Sequence, residues 1–282
     1  MLKNCTISGF ADEIDVDLQK QIALLNELGV KQVEFRSANG KGVVDYTEEE
    51  AQKAMELLRA NGISVSAVGS PIGKILITDP FEPHFETFRH VVRLAKVFGT
   101  RYIRVFSFFI PQGEDPEQYR EEVLRRLKCF ADYAKEQDVV LLHENEKEIY
   151  GDVASRCKTI FDALYSEHFQ CTFDFANFVQ CRQDTLEAYE MLSGYIKYVH
   201  VKDALWKNGQ VVPAGKGDGH VKEILQKLDK AGYSGCLSLE PHLAEFATLQ
   251  SLEHRSDKKE TSDGVWAFTT AYQALKKLLE TL

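Results

Sequence analysis

Four short segments in the second half of the 282-residue chain end an apolar run on a carboxylate or an imidazole. They read Leu141-Leu142-His143-Glu144-Asn145-Glu146, Thr172-Phe173-Asp174, Tyr198-Val199-His200-Val201-Lys202-Asp203 and Leu237-Ser238-Leu239-Glu240-Pro241-His242. Ionisable groups embedded in apolar sequence are rarely buried unless they are paired or hold a metal. Glu144, Asp174, His200 and Glu240 form the candidate ligand set. Three converging carboxylates repel one another, and one divalent ion removes that repulsion. One imidazole with three oxygen donors suits manganese, magnesium, cobalt or zinc without choosing among them. No member is specific alone: a lone glutamate is commonly a loop charge, and a lone histidine a hydrogen-bonded core group. The signal is the repetition over four consecutive segments.

Something must hold those four segments at one level, and the rest of the chain has the pattern to do it. Short β-rich runs alternate with helical periodicity. The predicted strands are Cys5 to Gly9, Lys31 to Phe35, Ile63 to Val68, Tyr102 to Phe106, Val139 to His143, a sixth starting at Cys171 to Phe173, Tyr198 to Val201 and Cys236 to Leu239. Between them lie apolar stripes such as Ile14, Leu18, Ile22, Leu25 and Leu28, which share one helix face. Thr47 and Glu50 have the spacing of a capping box. Further helices are expected over 81–98, 116–137, 152–164, 185–192, 221–231 and 264–279. Glycine recurs at the helix-to-strand junctions: Leu28-Gly29-Val30, Asn61-Gly62-Ile63, Phe98-Gly99-Thr100 and Ala231-Gly232-Tyr233. Eight strand-then-helix units predict an α/β protein with a (β/α)8 TIM barrel over residues 1–282 as a single domain. A doubly wound sheet fits less well, because no G-x-G-x-x-G follows the first strand. Barrel active sites form at the C-terminal strand ends, where the four segments place their charges.

The runs HENE, FDFANF, VHVKDA and LSLEPH, with GKGDGHVKEILQKLDKAGYSG between the last two and GFADEI at the start, resemble the xylose isomerase-like TIM barrels, in the branch of sugar phosphate isomerases and epimerases. The resemblance implies that Glu144, Asp174, His200 and Glu240 hold one divalent ion. It also implies that Glu144 and Glu240 serve as the acid/base pair. The expected activity is isomerisation or epimerisation of a sugar, sugar phosphate or related polyol by proton transfer through an enediolate. An inosose-type dehydratase or a 3-keto-glycoside lyase would use the same site. A sugar-binding barrel without turnover is the non-enzymatic alternative. Ketose 3-epimerases carry a histidine three residues beyond the aspartate; here that residue is Asn177, which can hydrogen-bond a hydroxyl but does not titrate near neutrality.

Several further side chains are candidates to hold the substrate. Lys202 and Glu146 lie two residues beyond His200 and Glu144, on the same strand faces. Arg104 lies on the fourth strand, Lys74 follows the turn-rich Ser70-Pro71-Ile72-Gly73, and His242 follows Glu240 by two. Glu34 is an alternative base and Arg36 an additional cation. Lys216, within Gly215-Lys216-Gly217-Asp218-Gly219, marks either a phosphate loop or a plain flexible loop. Phe10, Phe106, Phe108, Phe175, Phe178 and Trp206 could wall the substrate from water, but taken singly each is expected to be core or loop packing. By parity His143 should point into the helix layer.

Composition narrows the partners. With 34 basic and 43 acidic side chains, the net charge of −9 disfavours nucleic acid, which needs a basic surface. No apolar run is long enough to span a bilayer, and Asp12 and Glu13 interrupt any signal-like start. The six scattered cysteines form no C-x-x-C pair and are expected as free thiols in a cytoplasmic protein. The expected partner is a small carbohydrate, with neither nucleic acid nor membrane; a homo-oligomer is left open.

Overall fold

The computed structural model describes residues 2, 4–243 and 264–282. Eight parallel strands run through them: β1 (Thr6–Gly9), β2 (Gln32–Phe35), β3 (Ser64–Val68), β4 (Tyr102–Val105), β5 (Val140–Glu144), β6 (Phe169–Asp174), β7 (Ile196–Val201) and β8 (Cys236–Leu239). Hydrogen-bonded neighbours follow the order β1-β8-β7-β6-β5-β4-β3-β2. Strands β1 and β2 meet at the remaining seam without a ladder, so the barrel is nearly closed. This is the (β/α)8 architecture that the repeat predicts.

The surrounding helices are α1 (Leu18–Leu28), α2 (Glu48–Ala60), α3 (Phe81–Val97), α4 (Arg120–Glu136), α5 (Ala154–Leu164), α6 (Phe175–Gln180), α7 (Thr185–Leu192), α8 (Val221–Lys230) and α9 (Gly264–Glu280). Helix α1 buries Leu18, Ile22 and Leu25 against the sheet. The Thr47/Glu50 capping box opens α2. Gly29 and Gly62 close the first two helices at φ 74° and 71°, a left-handed conformation that costs glycine little. Two helix starts differ from expectation. Residues Pro116–Tyr119 form a 3₁₀ turn capped by Asp115 before α4, and Tyr150–Asp152 form another before α5. The short helix α6 was not foreseen; it starts where the Asp174 side chain accepts the Asn177 N–H. No helix among the described residues is long and apolar enough to cross a membrane.

Strand alternation divides the barrel interior into two zones. Ala67, Val140, Leu142, Tyr198 and Cys236 form a buried cluster separate from the main core. Two residues further along the same strand faces come Glu144, His200 and Ser238, then Lys202 and Glu240. The lumen is thus apolar below and charged at its C-terminal mouth. Register keeps the charged groups level: Asp174 pairs with His200, and His200 with Ser238. An extra residue in β7, Lys197, shifts the β6–β7 register between Cys171 and Thr172 and so brings Asp174 opposite His200.

His143 has the opposite parity and packs between Phe161 and Phe169, at 5.7 and 6.2 Å between ring centroids. Neither ring nitrogen meets a hydrogen-bond partner among the described residues, and burial pushes its pKa down to about 3. The folded protein therefore holds this imidazole neutral while the unfolded chain protonates it near 6.5. Its contribution is intact above pH 6.5 and is lost as the pH falls from there toward 3. In urea unfolding, His143→Leu should lose about 2 kcal/mol less stability than wild type between roughly pH 7 and 5. Equal losses in the two proteins would refute this account of the buried ring.

Candidate metal centre and active site

Strand ends β5 to β8 bring Glu144, Asp174, His200 and Glu240 together, each offering one ligand atom within 4.8 Å of all the others. All four are buried. His200 sits between two carboxylates. Its Nε2 lies 3.1 Å from Glu34 Oε2, which also accepts from Ser238 Oγ at 2.7 Å. Its Nδ1 lies 2.9 Å from Glu144 Oε1, without the alignment of a hydrogen bond, and 3.8 Å from Glu240 Oε2. Burial lowers the His200 pKa, but Glu144 and Glu34 outweigh it and hold the ring well above the ordinary histidine range.

The donors fit a cation. Glu144 Oε2, Asp174 Oδ2 and His200 Nδ1 are buried and meet no hydrogen-bond partner among the described residues. Such buried polar atoms are costly unless an ion, a proton or water satisfies them. Protein cations stand close by. Lys202 Nζ donates to Glu240 Oε2 at 3.0 Å and lies 3.5 Å from Asp174 Oδ2. Arg104 Nη1 lies 3.4 Å from Glu144 Oε2. Burial pushes Asp174 up to about 7, with Lys202 opposing and Glu240 and Glu144 assisting. Burial also favours neutral Glu240, but Lys202 and His242 prevail and hold it well below the usual carboxylate range.

The other candidates separate into distinct positions. Asn177 Nδ2 donates to Glu144 Oε1 at 3.2 Å and to Asn145 O at 2.9 Å, while its Oδ1 meets no partner among the described residues. Glu146 accepts from Lys74 Nζ at 3.2 Å; Lys74, Lys147 and Lys202 overcome the effect of burial and bring it down to about 2. That makes it a weak base. His242 Nε2 lies 3.3 Å from Glu240 Oε1 and 3.5 Å from Glu13 Oε1. Glu34, read as an alternative base, is instead bound to His200 and Ser238 and orients the imidazole. Arg36 lies behind Glu240, at 2.7 Å from Asp12, 3.3 Å from Glu13 and 3.3 Å from Glu240, and so positions that carboxylate.

The structure decides two alternatives that the sequence left open. The Gly-rich loop is no phosphate cradle, because the N–H groups of Gly215, Gly217 and Gly219 each donate to Asp203 at 2.9 Å. Glycine is needed there for close approach: a Cβ on Gly217 would lie 2.4 Å from Asp203 Oδ1. Lys216 is exposed on that loop. Of the aromatic candidates, Phe10 and Phe106 contact site cations. Phe108 packs on Phe81 and Phe130, Phe175 and Phe178 pack on Phe173, and Trp206 is exposed beside Arg182. Sequence reasoning missed Asp12 and Glu13, read there only as a break in a signal-like start. Both sit just past β1, where the strand-end rule would have found them. It also missed Asn145, whose side chain exchanges two hydrogen bonds with the Asp174 backbone and ties β5 to β6.

A family model described as xylose isomerase-like TIM barrel matches residues 22–260. A 3-dehydroshikimate dehydratase from Bacillus anthracis is 18% identical over 199 residues, covering 71% of this chain and 70% of that protein. Among solved structures, D-psicose 3-epimerase from Clostridium cellulolyticum H10, crystallised with D-tagatose, superposes with a TM-score of 0.74 at 15% identity, covering 98% of both chains. The IOLI protein, solved with a bound zinc atom, gives 0.75 at 14% identity, again over 98% of both chains.

A divalent ion must compete with protons for this ligand set. His200 Nδ1 and Asp174 both have to be deprotonated to bind it, so affinity rises with pH. In Mn2+ titrations the affinity should climb about 100-fold per pH unit below roughly 7, where both protons leave, and about 10-fold per unit above, where only the His200 proton does. His200→Asn should bind the ion far more weakly and lose the upper slope. A wild-type affinity independent of pH would refute the assignment.

Proposed function

We propose, from the premise that this chain belongs to the xylose isomerase-like TIM barrel family, that it is a divalent-metal-dependent isomerase or epimerase of a sugar, sugar phosphate or related polyol. The observation that supports this most is the buried quartet Glu144, Asp174, His200 and Glu240 with its unpartnered donor atoms. An ion held by these four residues would polarise a substrate carbonyl and acidify the neighbouring C–H.

The side chains divide the remaining work. Lys202 and His242 keep Glu240 ionised, so it is free to accept the proton from the carbon beside the carbonyl, while their charges also lower its basicity. Glu144 is the second carboxyl. Asn177 donates to its Oε1 and steadies the group, to which we assign the return of a proton to the substrate. Delivery to the adjacent carbon isomerises; delivery to the same carbon from the other face epimerises. Asn177 Oδ1 is placed to accept a substrate hydroxyl. Glu34 and Ser238 fix the His200 ring, and Arg36 fixes Glu240. Dehydration of a keto-polyol is the second reading. It shares the proton abstraction, and the similarity to a 3-dehydroshikimate dehydratase favours it.

The test is proton exchange with solvent. In deuterated water, with Mn2+ present, a ketose or keto-polyol substrate should gain carbon-bound deuterium by NMR. EDTA should abolish this, and restored Mn2+ should recover it. Glu240→Gln should slow the exchange by about 10²- to 10⁴-fold, the usual contribution of a general base. A broad panel that neither turns over nor exchanges in the metal-loaded protein would overturn the enzymatic reading.

A further inference from the structure

Asp203 directly follows Lys202 at the end of β7 and is buried. Its Oδ1 accepts the N–H groups of Ala204 and Gly219, and its Oδ2 those of Gly215 and Gly217, all at 2.9 Å. Four converging amides form a nest, the concave backbone arrangement that binds an anion. Burial pushes the Asp203 pKa up, and the bonds from Gly217, Gly219, Ala204 and Gly215 pull against it. The nest leaves no room for larger residues: a Cβ on Gly217 would lie 2.5 Å from Ala204 O, and one on Gly219 would lie 2.7 Å from Asp203 Oδ1.

The loop that Asp203 gathers is joined to α6 and α7. Gln180 Nε2 donates to Gly209 O at 2.9 Å, Arg182 Nη1 donates to Trp206 O, and Thr185 Oγ1 donates to Gly219 O at 2.9 Å. Gly219 also lies against Phe175, whose Cβ would stand 3.1 Å from a Cβ at that glycine. Phe175 opens α6 directly after Asp174, and the Asp174 Oδ1 accepts the Asn177 N–H at 2.7 Å. Contacts therefore run without a break from Asp203 to the end of α6 that borders the ligand set.

We infer that Asp203 is a positioning residue, a role that rests on the proposed metal centre only where it concerns the ion. Its charge holds the loop over 204–219, the loop holds α6, and α6 holds Asp174 and Asn177 in line with Glu144 and His200. The charge matters as well as the shape. Bonds to an ionised acceptor are about twice as strong as neutral ones. An asparagine of the same outline would turn its NH2 toward amides that also donate, leaving inward-facing N–H groups without an acceptor.

The test uses the full chain and variants of the loop. Asp203→Asn keeps the shape without the charge, Asp203→Ala empties the nest, and Gly217→Ala drives a methyl into it. Lys216→Ala, at an exposed position of the same loop, is the control. In hydrogen-exchange mass spectrometry, Phe175–Gln180 should exchange about 10-fold or more faster in the first three variants. Helix α3 in those variants, and α6 in Lys216→Ala, should keep wild-type rates. Sodium formate, compared with sodium chloride at equal ionic strength, should slow α6 exchange again in Asp203→Ala alone, because only that variant leaves space for a carboxylate. Mn2+ affinity by calorimetry should fall about 10- to 100-fold in the first three variants, the usual cost of losing a group that orients metal ligands. Four results overturn the inference: wild-type α6 exchange in Asp203→Asn; no effect of formate on Asp203→Ala; exchange raised equally in α3 and α6, which makes Asp203 a general stabiliser; or α6 loosened with Mn2+ affinity unchanged. Should Asp203→Ala fail to fold, Asp203→Asn and Gly217→Ala decide by the same exchange and affinity readouts. A wild-type protein that takes up no Mn2+ would refute the proposed metal chemistry instead, and exchange in α6 would still decide the role of Asp203.

Discussion

An imidazole caught between two carboxylates organises the mouth of this barrel. His200 faces Glu34 on one side and Glu144 on the other, with Ser238 anchoring Glu34 from below. Such an arrangement cannot relax by moving into water, because every member is buried. The hydrogen bond at Nε2 sets the ring plane, and the ring plane aims Nδ1 at the remaining carboxylates. Glu34 thus acts through His200 rather than on a substrate. The Phe10 ring, edge-on to His200 at 5.2 Å, blocks other orientations. Whatever occupies the space beside Nδ1 must be positively charged, whether a proton or an ion.

The scaffold makes this geometry affordable by separating polarity along the lumen. Tyr198, Cys236, Val140 and Leu142 fill the lower barrel with a tight apolar plug. The charged residues two positions further along rest on that plug, in low-dielectric surroundings where their mutual interactions are strong. A one-residue slip in any strand would turn its charge into the helix layer and an apolar side chain into the mouth. The extra residue in β7 is therefore functional geometry. Without that shift Asp174 would not stand opposite His200.

Much of this was legible in the residues themselves. Strand ends 5 to 8 announce themselves because apolar runs stop abruptly at Glu144, Asp174, His200 and Glu240. The helix frame is equally readable from the periodicity of α1 and the Thr47/Glu50 cap. What stayed hidden depends on distance in sequence. The Arg36–Glu240 pair spans 204 positions, and the Glu34–His200 contact spans 166. No local pattern distinguishes Glu34 the orienting group from Glu34 the base, because the difference is which side chain it meets. The Gly-rich segment around Lys216 stayed ambiguous for the same reason. Its glycines have the spacing of an anion loop, but the anion they enclose is the chain's own Asp203.

The mouth holds seven buried carboxylates, Asp12, Glu13, Glu34, Glu144, Glu146, Asp174 and Glu240, against the buried cations Arg36, Arg104 and Lys202 and the protonated His200 ring, with Lys74 at the rim. That deficit of positive charge is the physical argument for a divalent ion, and it is independent of any similarity to other proteins. It also explains why Lys202 and Arg104 lean on the ligand set. In their present places they partly compensate carboxylates that an ion would satisfy better, since it can meet several oxygens at once and Lys202 cannot. Loading an ion would weaken the hold of Glu240 and Asp174 on Lys202, and of Glu144 on Arg104. Lys202 and Arg104 would then be less tightly held by the ligand set.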